Sequence, residues 1–187
     1  NRGNGVTIRN CSGNEIAHGA MVPPNVISGN RGHGVLLGSN ALGNAVNGAL
    51  IGMDTNRIIA RPNGGEGILI FRSELNDVGN SGTPTVICGN QGSGIKIVES
   101  RGNHINWALI GFCSVPPWAM GNSDYGVHVV SSPSNYIGSD AGTTVISGNN
   151  RDGVLIEGPA SRGNVILGCS IGSDPTFTMV VSNRGNG

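Results

Sequence analysis

The sequence predicts an all-β chain wound as a solenoid of about six coils, each built from three short strands: a parallel β-helix. Three observations predict it. The pattern Asn-x-x-x-Gly starts at Asn1, Asn30, Asn63, Asn90, Asn122, Asn149 and Asn183, at alternating spacings of 27–29 and 32–34 residues. Within each interval a second Asn precedes an aliphatic residue by two: Asn14/Ile16, Asn44/Val46, Asn76/Val78, Asn103/Ile105, Asn135/Ile137 and Asn164/Ile166. A third segment carries an Ile in every copy, at Ile27, Ile51, Ile87, Ile110, Ile146 and Ile171. A fixed period near 30 residues is how a solenoid writes itself into sequence.

The first strand of each coil follows the motif Gly. Its apolar residues alternate, as in Val6/Ile8, Val35/Leu37, Ile68/Ile70, Ile95/Ile97, Val127/Val129 and Val154/Ile156. Alternation puts each pair on one face, toward the inside. The second strand carries the aliphatic after the second Asn, and the third carries the Ile. Helices are disfavoured, because 33 glycines in 187 residues would cost a helix about 1 kcal/mol each. Parallel stacking places equivalent residues above one another, so the Asn positions are expected to form amide ladders. Asn and Gly are also expected at left-handed corners. The residue before each third-strand Ile (Val26, Leu50, Val86, Leu109, Val145, Ser170) is expected to face outward. The chain reads as one domain, with super-repeats over 1–62, 63–121 and 122–182, and 183–187 beginning another coil.

Composition narrows the function. Eleven basic residues balance eleven acidic ones, which argues against a nucleic-acid partner. No apolar run approaches the length of a membrane span. Four cysteines without a CxxC pair suggest neither a disulfide framework nor a zinc site, and free, partly buried thiols are expected. The histidines fall in different strands and corners, so no metal or other cofactor is expected.

The texture NVISGN…GVLI…GNxIxGxxIGxD, which runs through the whole chain, resembles the right-handed parallel β-helix repeats of large secreted and surface proteins of bacteria, a pectate-lyase-like superfold. The resemblance implies a right-handed β-helix and an extracellular or cell-surface setting. It does not choose a function, since this fold carries polysaccharide lyases and hydrolases, tailspikes and adhesins alike.

The leading expectation is structural. Neither end of the sequence carries a polar cap, and NRGNG at 1–5 recurs at 183–187. Uncapped coils template further strands, so the chain is expected to stack on itself head to tail as a fibre unit. The residues expected at that axial contact are Val6, Ile8, Asn14, Ile16 and Ile27 at one end and Val154, Ile156, Asn164, Ile166, Ile171, Asn183 and Gly187 at the other. Three apolar loops, at 53–62, 112–121 and 173–182, are expected either to fold back on the solenoid or to offer lateral contacts through Ile58, Ile59, Trp118, Met120, Phe177 and Met179. A cell surface or a polysaccharide is a further candidate partner.

The alternative is a carbohydrate-active enzyme. The outward middle residues of the first strands are Thr7, Leu36, Leu69, Lys96, His128 and Leu155, a poor catalytic surface at three positions. The best cluster is Lys96, His128 and Glu157, with Glu99 and Asp152 nearby, a set able in principle to do acid–base work. Asp54 and Asp174 are four coils apart, too far for the paired carboxylates of a glycosidase. A spacer stalk of an adhesin is the third reading.

Overall fold

The computed structural model describes residues 1–187 apart from 17–23, 80–81, 114, 117–118 and 141–143. The chain is an all-β, right-handed parallel β-helix. Among the described residues there are 18 strands and no helix. They form three parallel sheets of six strands, and each coil adds one strand to each sheet. The first sheet comprises Val6–Arg9, Val35–Gly38, Ile68–Phe71, Ile95–Val98, Val127–Val130 and Val154–Glu157. The second contains Glu15–Ile16, Ala45–Val46, Asp77–Val78, His104–Ile105, Tyr136–Gly138 and Val165–Leu167. The third contains Val26–Ile27, Leu50–Ile51, Thr85–Ile87, Ala108–Ile110, Thr144–Ile146 and Cys169–Ile171.

Register follows the repeat without slippage. Ile8, Leu37, Ile70, Ile97, Val129 and Ile156 sit one above another. So do Ile51, Ile87, Ile110 and Ile146 on the third sheet. These columns meet inside the coils as one continuous core. Each fully buried Ile contributes about 2–3 kcal/mol by leaving water.

The amide ladders are present and they run one way. Asn1, Asn30, Asn63, Asn90, Asn122 and Asn149 each donate from Nδ2 to the Oδ1 of the next, ending on Asn183. The second ladder runs from Asn14 through Asn44, Asn76, Asn103 and Asn135 to Asn164 in the same sense. A ladder not anticipated from sequence lies three residues before the second one. There the backbone N–H groups of Ala41, Ser73, Ser100 and Ser132 donate to the hydroxyls of Ser73, Ser100, Ser132 and Ser161.

Most left-handed corners are glycines, as expected: Gly29, Gly89 and Gly148 form one column and Gly52, Gly111 and Gly172 another. They are not the ladder asparagines or the motif glycines. One corner departs from the expectation: the left-handed column after the first sheet is Asn10, Ser39, Arg72, Glu99, Ser131 and Gly158. There coil geometry imposes the conformation, and residue preference does not select it.

The outward stripe of the third sheet faces away from the inner core as expected, and the loops fold back over it. Leu50, Val86, Leu109 and Val145 are buried there. Short antiparallel bridges, Met53 to Ala60, Phe112 to Ala119 and Ser173 to Val180, fold three loops into hairpins. Met53, Phe112, Met120 and Val181 from these loops pack on the stripe and make a second core outside the solenoid wall. The loops thus divide their apolar residues: Ile58, Ile59 and Phe177 remain exposed, Met179 is half-buried, and Trp118 lies outside the described residues.

Carboxylates pin two of the hairpins. Asp54 Oδ1 accepts the amides of Ile58 and Ile59, both at 2.9 Å. Asp174 accepts the Thr176 hydroxyl and, at 2.7 Å, the Met179 amide. The Thr176 hydroxyl, followed by the Met179 amide, holds the Asp174 carboxyl down at about 2. The Ile59 amide is the main cause of the lowering at Asp54. A depressed carboxyl contributes its stability in full above its unfolded value near 3.9 and loses it as pH falls through the folded value. Acidification from pH 5 to about 2 should therefore release the hairpin at 173–180. Amide NMR or hydrogen exchange should show Met179 losing protection, with no matching loss at Ile97 in the core.

Candidate functional site

The outer face of the first sheet and the corner before it carry the densest set of titratable groups. At that corner, position four of the motif is Asn4, His33, Glu66, Ser93, Tyr125 and Asp152 on successive coils. The side chain on one coil accepts the backbone N–H of the next: His33 N–H donates to Asn4 at 2.9 Å, Glu66 N–H to His33 Nδ1 at 3.0 Å and Ser93 N–H to Glu66 at 2.8 Å. His33 therefore presents a lone pair at Nδ1, and burial lowers its pKa, consistent with a neutral ring.

Lys96 and His128 are lateral partners on adjacent strands. Lys96 Nζ lies 3.8 Å from Glu66 Oε1. His128 donates from Nε2 to Glu157 Oε1 at 2.9 Å, reaching diagonally across one coil. The Tyr125 ring lies against the His128 ring, centroids 4.7 Å apart. The structure thus places Lys96, His128 and Glu157 together and adds Glu66 and Tyr125, which sequence reasoning missed. Both stand at position four of the motif, a column readable only once the corner is known to face the same side as the sheet. Glu99 and Asp152 do not join them. Glu99 pairs with Arg72 at 2.6 Å on the opposite corner, and Asp152 accepts the amide of Asn186.

The cluster is more closed than a solvated surface. The His128 side chain is only 8% exposed, and its Nδ1 is buried without a hydrogen-bond partner. A general base must come within about 3 Å of the proton it takes. His128 reaches a substrate only if Tyr125 or Glu157 moves aside.

A shallow hollow on the second sheet is lined by His104, Tyr136 and Leu167. The Tyr136 ring meets His104 edge-on at 5.2 Å, and His104 Nδ1 lies 3.3 Å from Asp77. Among the described residues no group of three His, Cys, Asp or Glu is placed to hold a metal ion.

The residues expected at an axial contact lie on the first and last coils. Ile8, Ile27 and Asn183 are largely buried there, and Ile166 is 44% exposed. Val6, Ile16, Val154, Ile156, Asn164 and Ile171 are half-buried, and Asn14 and Gly187 are exposed.

This architecture defines a class: the right-handed parallel β-helix, with three sheets and internal asparagine ladders. No family model matches the chain, and no curated protein does. Among solved structures it is similar to the periplasmic alginate epimerase AlgG. A single-mutant form gives a TM-score of 0.62 and a double-mutant form 0.63, both at 17% identity. The match covers 89% and 90% of this chain but 36% of each AlgG chain, so the chain spans about a third of the length of the enzyme it resembles. The likeness is one of fold.

Proposed function

We propose that this chain is a structural β-helix segment, a unit of an extracellular or surface fibre that extends by coil-on-coil stacking. The carrying observation is the uninterrupted ladder system. Two asparagine columns and the aliphatic columns run through every coil with the same register, so the last coil presents the amide and apolar pattern that the first coil receives. Added coils repeat pairings that each sheet of six strands already makes five times over. Each coil rises ~4.8 Å, and a six-coil unit advances about 29 Å.

The test is negative-stain microscopy of the 187-residue chain at high concentration. Fibres are expected, with an axial repeat near 29 Å, and Ile166→Lys is expected to abolish them by putting a charge at the stacking face. Discrete short rods in the parent chain, or fibres that survive Ile166→Lys, would overturn the reading.

One observation favours a second reading, a carbohydrate-active enzyme: the convergence of Lys96, His128, Glu157, Glu66 and Tyr125 on one outer face of a fold shared with an alginate epimerase. Alginate is the first polymer to offer. Cleavage or epimerisation seen by NMR, lost in Lys96→Ala and His128→Ala variants that still fold, would establish it.

A further inference from the structure

At one pair of positions the middle super-repeat departs from both of its neighbours. Where the first and third have Ser28 and Ser147, the middle one has Cys88; where they have Asp54 and Asp174, it has Cys113. The two departures fall in the same super-repeat and meet in space. Cys88 Sγ and Cys113 Sγ are 3.5 Å apart. Both are buried within the second core, under the hairpin bridged from Phe112 to Ala119. Cys11 is exposed and Cys169 half-buried, and each lies on a terminal coil.

The sister positions show what this place does. Ser147 donates its hydroxyl to Ser173 O at 2.8 Å and accepts Gly172 N–H at 3.0 Å, so it ties one coil to the hairpin of the next. Asp54 and Asp174 hold their hairpins by accepting loop amides. A cysteine at the Asp position has no carboxylate for that task, and a cysteine at the Ser position is a weak donor. The middle hairpin has exchanged two oxygen anchors for two sulfurs in contact, which keep only the weaker backbone N–H bonds of Gly111 and Met120.

We propose that Cys88 and Cys113 are the site of a disulfide that anchors the middle hairpin, in the place that Asp54, Asp174 and Ser147 hold in its neighbours. The sulfurs need to close by about 1.5 Å to reach bonding distance. The oxidant is a disulfide donor of the glutathione type. The Cys113 thiolate attacks one donor sulfur and expels the other as a thiolate. Cys88 then loses its proton, and its sulfur attacks Cys113 Sγ, expelling the second donor thiolate. Two protons and two electrons leave the protein, and the donor disulfide becomes two thiols. Because both sulfurs are covered in the closed fold, the exchange takes place while the hairpin is open, during folding.

The test refolds the full chain in a mixed glutathione buffer, blocks free thiols in denaturant and maps the peptides without reduction. Expected is a peptide containing Cys88 joined to one containing Cys113, two hydrogens lighter than the pair, with Cys11 and Cys169 alkylated. The bond closes a loop between residues 25 apart, and the oxidised chain should melt about 5–10 °C higher than the reduced one. That gap should vanish in the double variant Cys88→Ser with Cys113→Asp, which restores the sister anchors and serves as the folded control. Alkylation of all four cysteines, pairing with Cys11 or Cys169, or a cross-link that leaves the melting temperature unchanged would each overturn the proposal.

Discussion

Gly94→Ala should destabilise the protein by about 3 kcal/mol or more, although its backbone lies outside the left-handed region and only one methyl is added. A Cβ at Gly94 would meet the Ile110 methyl and would lie 2.8 Å from Gly126 O and 2.9 Å from Asn122 Nδ2. Two of those neighbours belong to the next coil, and the third fills the core. None is a flexible chain end, so the clash moves the coil spacing or the ladder, which puts the cost at or above the upper end of the ~1–3 kcal/mol typical of overpacking. The same three partners recur around Gly67 and Gly126: a core Ile methyl, the next motif Gly carbonyl and the next ladder Asn amide. This contact set explains why the motif ends in Gly. The check is urea unfolding of Gly94→Ala beside Gly3→Ala, whose added Cβ has nothing within 4 Å and which should change stability by less than about 1 kcal/mol.

Asn103→Ala should cost about 3–5 kcal/mol. The Asn103 side chain is fully buried. Its Oδ1 accepts both the backbone N–H and the Nδ2 of Asn76, each at 3.0 Å. Its Nδ2 serves Asn135 Oδ1 at 3.0 Å and the carbonyls of Ser73 and Arg101. Alanine strands buried groups on the coils above and below, at roughly 1–3 kcal/mol for each unsatisfied group. Asn103→Asp is the informative companion. It keeps the acceptor for Asn76 but aims a carboxylate at three oxygens, so it should be at least as damaging at pH 7 and partly recover as the pH falls and the carboxyl protonates. Chemical denaturation of both variants across pH measures this. Equal losses at every pH would mean that side-chain volume, and not the donor, is what the ladder needs.

The fold was legible because parallel stacking makes every coil solve the same problem with the same residues. Asn63, Ile87 and Ile97 announce a position, and their counterparts on other coils confirm it. What stayed hidden was whatever the period does not show. The serine ladder has no constant partner pattern, since Cys11 and Ala41 occupy its first two rungs. The left-handed corner after the first sheet admits Arg72 and Glu99 as readily as Gly158, so composition could not mark it as it marked the glycine corners. Alternation along the third strand correctly turned Leu50, Val86 and Leu109 away from the inner core. It could not choose between loops that fold back over them and loops that stand free for lateral contacts. For the same reason Lys96, His128 and Glu157 were readable as one face, whereas Tyr125 over His128 and Glu66 beside Lys96 depend on how a corner turns.

The common direction of the asparagine ladders has a consequence for symmetry. Every rung passes its amide protons the same way along the axis, so a rod of these coils has chemically distinct poles. Placing two like poles together would set donor against donor or acceptor against acceptor along both ladders, so the ladders favour head-to-tail order between copies. Head-to-tail contacts between copies would be heterologous and, stacked along the axis, would not close on themselves. Growth would then be vectorial, with each pole offering its own chemistry to a capping or nucleating partner.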